Sequence, residues 1–461
     1  MPGQIRPVSP VDETPQAMRT ILDSCVRYGF CTNTCPTYVL TRDENESPRG
    51  RIALIREMLA SDAPPDPASV AHIDSCLGCL SCMTTCAAKV DYHHLIDHAR
   101  AHVEKTYRRP LADRLLRRLL VLLLPHPARF RLALRVAPLG RLVRWVDPRL
   151  AAMLDLRPVS THRPADLRRA RRVHPAEGER RGRVVLLTGC VQRVIAEHVN
   201  EAAIRLLCRH GTEVVVLPQV DCCGALTLHM GHAERARGSA AFMARAIADE
   251  HDRAPLDAVI ITASGCGTTV KDYPHLLAGE ADLAKAAALT GRLACDVTEY
   301  LAAKGLHPPV DAVRGVPVVY HDACSLQHGQ RVTKPPRELL TQAGYALSSA
   351  PEGHICCGSA GTYNLLQPDT ARTLGRRKAE ALHSTGAAIV AAGNLGCITQ
   401  IGEHADLPVV HTVELLDWAT GGPVPSALTG RALPRRTPDP EPGDAPTDAA
   451  ASGGQDAESF W

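Results

Sequence analysis

The chain is poor in aromatic side chains: Phe, Trp and Tyr make up 3% of its 461 residues. That removes the stacking platforms on which proteins hold unpaired nucleic-acid bases. Neither sign of charge is in clear excess. Fifty-two Lys and Arg face 49 Asp and Glu, a formal net charge of +3. This is too little for a general field that attracts nucleic acid, and no such partner is expected. Long apolar runs are missing; the longest, near Leu119–Leu124, stops at Pro125, well short of a bilayer's thickness. The opening residues MPGQIRPVSPVDETPQAM contain no apolar core of the kind a secretory leader needs. The expected location is cytoplasmic, either free or at the inner face of the cytoplasmic membrane. A Gly-rich dinucleotide fingerprint, a P-loop and a nucleophile elbow are also missing, so no residue is assigned a catalytic role and no flavin or nicotinamide site is read.

Cysteine, by contrast, is plentiful: 17 residues, grouped rather than scattered, which favours metal over disulfides. The chain is organised around Cys76-Leu-Gly-Cys79-Leu-Ser-Cys82-Met-Thr-Thr-Cys86. This C-x2-C-x2-C-x3-C run holds iron–sulfur clusters; three thiolates wrap one cluster, and in two-cluster ferredoxins the fourth serves the other. A structural zinc site prefers two separated pairs. Upstream lies Cys25-Val-Arg-Tyr28-Gly-Phe-Cys31-Thr-Asn-Thr-Cys35-Pro36, in which Tyr28 stands where a second cysteine belongs. One iron corner thus lacks its thiolate. The outcomes are a three-iron cluster, a four-iron cluster with a substitute ligand such as the Tyr28 oxygen, or a labile site. Arg49 and Arg51 open an apolar-periodic helix over 52–59 and either neutralise cluster charge or sit in solvent. His72, His93, His94 and His98 read as surface residues.

The C-x5-C-x3-C-P spacing beside a complete run resembles the iron–sulfur subunits of succinate dehydrogenase and fumarate reductase. That resemblance implies that Cys25, Cys31 and Cys86 hold one cluster, and that Cys35, Cys76, Cys79 and Cys82 hold the other.

Residues 101–182 form a basic, leucine-rich connector. Arg108, Arg109, Arg114, Arg117, Arg118, Arg129, Arg131, Arg135, Arg141 and Arg144 alternate with leucines in two or three amphipathic helices broken at Pro125–Pro127 and Pro138. Such helices either pack across the flanking domains or lie on an anionic membrane or a partner. Residues 157–182 read as a linker.

Residues 183–420 repeat one layout twice. An apolar run (184–187) leads to Cys190, a second (213–217) to Cys222-Cys223-Gly224, and a third (258–262) to Cys266. The second half runs from 317–320 to Cys324, then Cys356-Cys357-Gly358, then from 388–392 to Cys397. In both halves 31 residues lie between the lone cysteine and the pair. Asp296-Val-Thr-Glu299 is echoed by His411-Thr-Val-Glu414. Apolar runs alternating with helices suggest parallel sheets, with every one of these cysteines just past a strand's C-terminal end, where open α/β sheets hold ligands. The adjacent cysteines need a tight turn, which Gly224 and Gly358 can supply. Cys208 and Cys295 read as buried small hydrophobes. His198, His229, His321 and His354 lie near the module cysteines and read as hydrogen-bonding neighbours, with a proton relay as the alternative.

This double Cys…Cys-Cys-Gly module resembles the cysteine-rich domain of glycolate oxidase iron–sulfur subunits, D-lactate dehydrogenase-type subunits and heterodisulfide reductases. LLTGCVQRV, CCGALTLHMG, YHDACSLQHGQ, CCGSAGTYNLLQP and NLGC look most like the glycolate oxidase subunit. Heterodisulfide reductase modules end in C-x2-C, whereas Thr269 and Gln400 stand at those positions here. The expected fold class is α+β multidomain: a helical ferredoxin-like two-cluster domain (1–100), the connector (101–182), two α/β cysteine-rich modules with parallel strands (183–305 and 306–420), and a disordered tail (421–461). The expected cofactors are two iron–sulfur clusters in the first domain, one [4Fe-4S] and the other [4Fe-4S] or [3Fe-4S], with further clusters in the modules. The resemblance implies an electron-relay subunit, inactive on substrate alone, that carries electrons from a flavoprotein partner oxidising glycolate or D-lactate to a quinone or other carrier. The alternative is a heterodisulfide-reductase-like enzyme with a catalytic module cluster.

Overall fold

The structure, a computed structural model, describes residues 15–61, 63–138, 147–154 and 172–435. The readings placed on the first fourteen residues, on Arg141 and Arg144, on 157–171 and on the tail from 436 onward lie outside the described residues.

The first domain is helical. Ser47 starts helix Pro48–Ala60: its hydroxyl accepts the Gly50 N–H, and Pro48 presets the first helical φ. Helix Tyr92–Thr106 is the domain's spine. Leu95, Ile96, Ala99 and Val103 recur at helical spacing and pack against Ile52, Ile55 and Ile73.

The connector supplies helices Leu111–Leu123 and Pro127–Val136. Leu120, Val121, Leu124 and Phe130 enter the largest core with Val199 and Leu206 of the first module. Arg109 and Arg117 are buried and share the Asp74 carboxylate of the first domain, at 2.6 and 2.9 Å. The connector therefore packs across both neighbours. Its outer face still leaves Leu111, Leu115, Leu119, Leu122, Leu132 and Val136 in solvent.

The first module is a five-stranded sheet of β1 (Arg172–His174), β2 (Gly182–Leu187), β3 (Thr212–Val216), β4 (Ala258–Ile261) and β5 (Ala294–Asp296), in the order β1-β3-β2-β4-β5. The second holds β6 (Pro317–His321), β7 (Ala346–Ser349), β8 (Ile389–Ala392) and β9 (Val409–His411), in the order β7-β6-β8-β9. All pairings are parallel except β1 on β3. Without β1 the two orders coincide. In each, the chain leaves the first strand to one side and returns to the other, which opens a crevice at the strands' C-terminal ends. The central strands β2, β4, β6 and β8 are buried along their whole length, as parallel strands covered on both faces must be.

One stretch read as linker behaves otherwise. Arg172–His174 pairs antiparallel with β3, Val173 against Val215, and covers what would be an open edge. The echoed tetrapeptides are equivalent capping boxes: Asp296 with Glu299 starts helix Val297–Lys304, and His411 with Glu414 starts helix Thr412–Ala419. The modules also meet each other. The His411 ring bonds the Thr262 carbonyl across the interface at 2.8 Å, and Ser264 meets Ser325 at 2.6 Å.

Candidate metal centres

Two sulfur-lined cavities lie in the first domain. Cys25, Cys31 and Cys86 line one, with Tyr28 and Arg49 beside them. Burial raises the Cys31 thiol, and neighbouring Cys25 and Cys86 push it the same way. Tyr28 is 69% exposed and stacks on Phe30. Cys35, Cys76, Cys79 and Cys82 line the other cavity with Thr37, Arg51 and Tyr92. The cysteines therefore sort into the sets given by the resemblance, with Cys35 and Cys86 each exchanged between runs.

The surroundings of the second set favour negative sulfur. The Gly78 N–H reaches Cys76 Sγ at 3.4 Å, and the Tyr92 hydroxyl reaches it at 3.7 Å. Arg51 lies 3.8 Å from Cys35 Sγ. Sequence reasoning left Arg51 open between cluster neighbour and solvated helix start; it is 1% exposed. It bonds Glu46, the His72 carbonyl, Thr37 and Ser75. Burial pushes the Cys79 and Cys82 thiols well up, so as free thiols they stay neutral. Binding a cation is what makes such a buried sulfur set anionic, and buried all-sulfur donors suit iron.

Each module gathers its cysteines at the C-terminal edge of its sheet. In the first, Cys190 follows β2, the Cys222–Cys223 pair follows β3, and Cys266 lies in helix Ser264–Lys271 after β4. Hydrogen bonding with Cys222 raises Cys190, and that same bond, with Cys223, lowers Cys222, as in a set sharing protons. In the second, Cys324 and Cys356 lie 3.9 Å apart, and the Asn394 amide donates to Cys397 Sγ at 3.4 Å. The tight turns are present: Gly224 and Gly358 have φ of 92° and 90°. A Cβ there would meet the carbonyl oxygens of Ala236 and Ala371 at 2.9 and 2.7 Å. The N–H groups of Gly224 and Gly358 point at Cys222 and Cys356 Sγ, at 3.4 and 3.5 Å. Cys208 is buried in the core, as expected of a small hydrophobe, and Cys295 packs against that core.

The centres adjoin. Cys79 of the first domain shares one buried cluster with Ile355 and Cys356, and Cys324 packs against it. Thr84 and His328 bridge the same junction at 2.8 Å.

Three features differ from the sequence reading or were missed by it. His72, His93 and His94 are not surface groups: each is half-buried, and each faces a carboxylate, Glu46, Asp97 and Asp91 respectively. His94 also reaches Asp272 of the first module at 3.1 Å. Burial opposes its charge, but hydrogen bonds to Asp272 and Asp91 outweigh burial and raise it to about 10. The second feature is His321, expected as a hydrogen-bonding neighbour of the module cysteines. It does lie beside Cys357 and Cys397, but at 3% exposure its Nε2 has no hydrogen-bond partner among the described residues, and burial pushes the imidazole down to about 3. The third is an open cleft of about 390 Å³ between connector and first module, lined by Val121, Pro125, His126, Val220, Cys222 and Phe242. Spacing can place His321 near Cys324, but burial, the Glu46 and Asp272 partners and the cleft are made by residues far apart in the chain.

Buried thiols in ferredoxin spacing, joined to a duplicated module with sulfur at its sheet edges, define an iron–sulfur protein of the electron-carrying class. The family model described as 4Fe-4S dicluster domain matches residues 21–90, and that described as cysteine-rich domain matches 184–271 and 318–402. The glycolate oxidase iron-sulfur subunit of Escherichia coli (strain K12) is 36% identical over 406 residues, which is 87% of this chain and 94% of that protein. The probable glycolate oxidase iron-sulfur subunit of Bacillus subtilis (strain 168) is 28% identical over 86% of this chain and 94% of its own length. Lactate utilization protein A of Oceanobacillus iheyensis is 26% identical over 51% of this chain and 96% of itself. The chain belongs to the glycolate oxidase iron–sulfur subunit family.

Proposed function

We infer that this protein is the iron–sulfur electron-transfer subunit of a flavin-dependent 2-hydroxyacid oxidoreductase acting on glycolate or D-lactate. The observation that carries the reading is that Cys79 and the Cys324–Cys356 pair pack in one cluster, which makes the sulfur sites neighbours rather than isolated anchors. Cys25, Cys31 and Cys86 hold the first cluster, a three-iron centre or a four-iron centre held at three corners. Cys35, Cys76, Cys79 and Cys82 hold a four-iron cluster. Cys190, Cys222, Cys223 and Cys266, and Cys324, Cys356, Cys357 and Cys397, hold the module centres. Once bound, the clusters supply one-electron carriers. The chain's own work is to space them, to keep water from the buried sulfurs and to set their charge through Arg51 and the turn N–H groups.

The chain divides for this work near the boundaries read from sequence, 1–100, 101–182, 183–305, 306–420 and 421–461, with two adjustments. β1 (Arg172–His174) joins the first module's sheet, and the stretch expected as a disordered tail begins in order, with Leu428 of the short helix Ser426–Leu428 in the core. A separate flavoprotein subunit oxidises the hydroxyacid. A quinone or other carrier accepts the electrons, with the cleft over Cys222 as the docking place. The connector's outer leucines, flanked by Arg114 and Arg118, rest on an anionic membrane face. Among the described residues no helix is long and apolar enough to cross a membrane. The heterodisulfide-type alternative is not favoured: Thr269 and Gln400, where its further cysteines would stand, are buried, and Gln400 is tied to the Ala371 carbonyl at 2.9 Å.

Oxygen-free chain, alone and mixed with its flavoprotein partner, gives the test. Glycolate or D-lactate should bleach the visible cluster absorption only in the mixture. Turnover by the chain alone, or a colourless iron-free preparation, would overturn the reading.

A further inference from the structure

The two modules match strand for strand, so their differences stand out. β2 and β6 each end three residues before the module's first cysteine. The last residue of β2 is Leu187; the last residue of β6 is His321. Both occupy the same register, Leu187 opposite Ile261 of β4 and His321 opposite Ala392 of β8. An imidazole here is costly unless something uses it, because a buried polar nitrogen without a partner forfeits its hydrogen bond. His321 is 3% exposed, and its Nε2 is buried with no hydrogen-bond partner. A ring nitrogen of His321 and the sulfurs of Cys357 and Cys397 all lie within 4.8 Å of one another. That is the spacing of donors around one metal centre.

We propose that His321 is a nitrogen ligand of the metal centre in the second module, which makes that centre a mixed sulfur–nitrogen site while the first module's is all-sulfur. The inference rests on reading the modules as cluster sites. The chemistry fits: imidazole is an accepted iron ligand, and where it replaces thiolate in iron–sulfur centres the reduction potential rises. A neutral donor adds no negative charge to a set that already holds four cysteines. The placement also has a use. Cys324 and Cys356 pack with Cys79, so the nitrogen ligand acts on the module centre that adjoins the first domain's second sulfur set.

The test uses the whole chain, purified without oxygen and grown with 15N-labelled histidine. The second-module signal is identified by the change that Cys397→Ser produces in the low-temperature EPR spectrum. Pulsed EPR of that signal should show one strongly coupled histidine nitrogen. His321→Leu, which places in β6 the residue β2 already accommodates, should abolish the coupling. His321→Cys should keep the iron, abolish the coupling and lower the midpoint potential. A second-module signal without strong nitrogen coupling, or coupling that survives in His321→Leu, overturns the proposal. A second module that binds no iron overturns both the proposal and the cluster reading of the modules, so the two failures are told apart.

Discussion

At the scale of single residues, the consequential side chains are those that set the charge around sulfur. Arg51 is buried with Glu46 as its carboxylate partner at 2.5 Å. Removing one member of a buried pair leaves an uncompensated charge, at a cost of about 3–5 kcal/mol. Arg51→Met should therefore lower the denaturation midpoint of the holoprotein sharply and lower the potential of the neighbouring centre, read by redox titration. Tyr28 poses the opposite problem, a ligand missing rather than a charge. With three thiols around the first cavity, the oxidised protein should show a three-iron EPR signal. Tyr28→Cys completes the run and should replace that signal with a fourth iron per site, counted by iron and sulfide analysis. The run and its gap were legible from spacing alone. The burial of Arg51 was not, because its partners Thr37, His72 and Ser75 come from three separate segments.

At the scale of elements, the repeat carried most of the readable information. The equal cysteine spacing and the apolar runs before the cysteines located the central strands of both sheets, and the echoed tetrapeptides marked equivalent places that the structure shows to be capping boxes. What stayed hidden was made by pairing rather than pattern. β1 has three residues and exists because β3 offers it an edge. β7 reads Ala-Leu-Ser-Ser, too polar to announce a strand, and is fixed by its pairing with β6. The Cys-Cys-Gly turns make a sharp prediction. Gly358→Ala forces a Cβ onto the Ala371 carbonyl at positive φ, and should cost about 1–3 kcal/mol and loosen iron in the second module only. Thermal unfolding and metal analysis would show it. On helix Leu111–Leu123, Leu115 and Leu119 touch solvent, so Leu115→Gln with Leu119→Gln should change stability by less than about 0.5 kcal/mol. The same pair should reduce sedimentation with anionic vesicles, and unchanged sedimentation would remove the membrane face from the proposed function.

At the scale of the whole molecule, domain docking depends on ionisable groups. His94 sits between Asp91 of its own domain and Asp272 of the first module. Its folded pKa of about 10 lies above the usual histidine value, so the stability it contributes is full below about pH 6.5. That contribution declines as pH rises towards 10. Chemical denaturation of the holoprotein between pH 6 and 10 should show this slope, and His94→Gln should flatten it. The interface was illegible in sequence because its partners lie 178 residues apart.

The exchange of Cys35 and Cys86 between the two cavities bears on how the protein is made. The first cavity takes Cys25 and Cys31 from one end of the domain and Cys86 from the other; the second takes Cys35 from the early run and the rest from the late one. On a nascent chain the second pouch has all its cysteines once residue 82 has left the ribosome, and the first only once residue 86 has. Neither can be filled from the early run alone, so loading must wait for the late run to emerge.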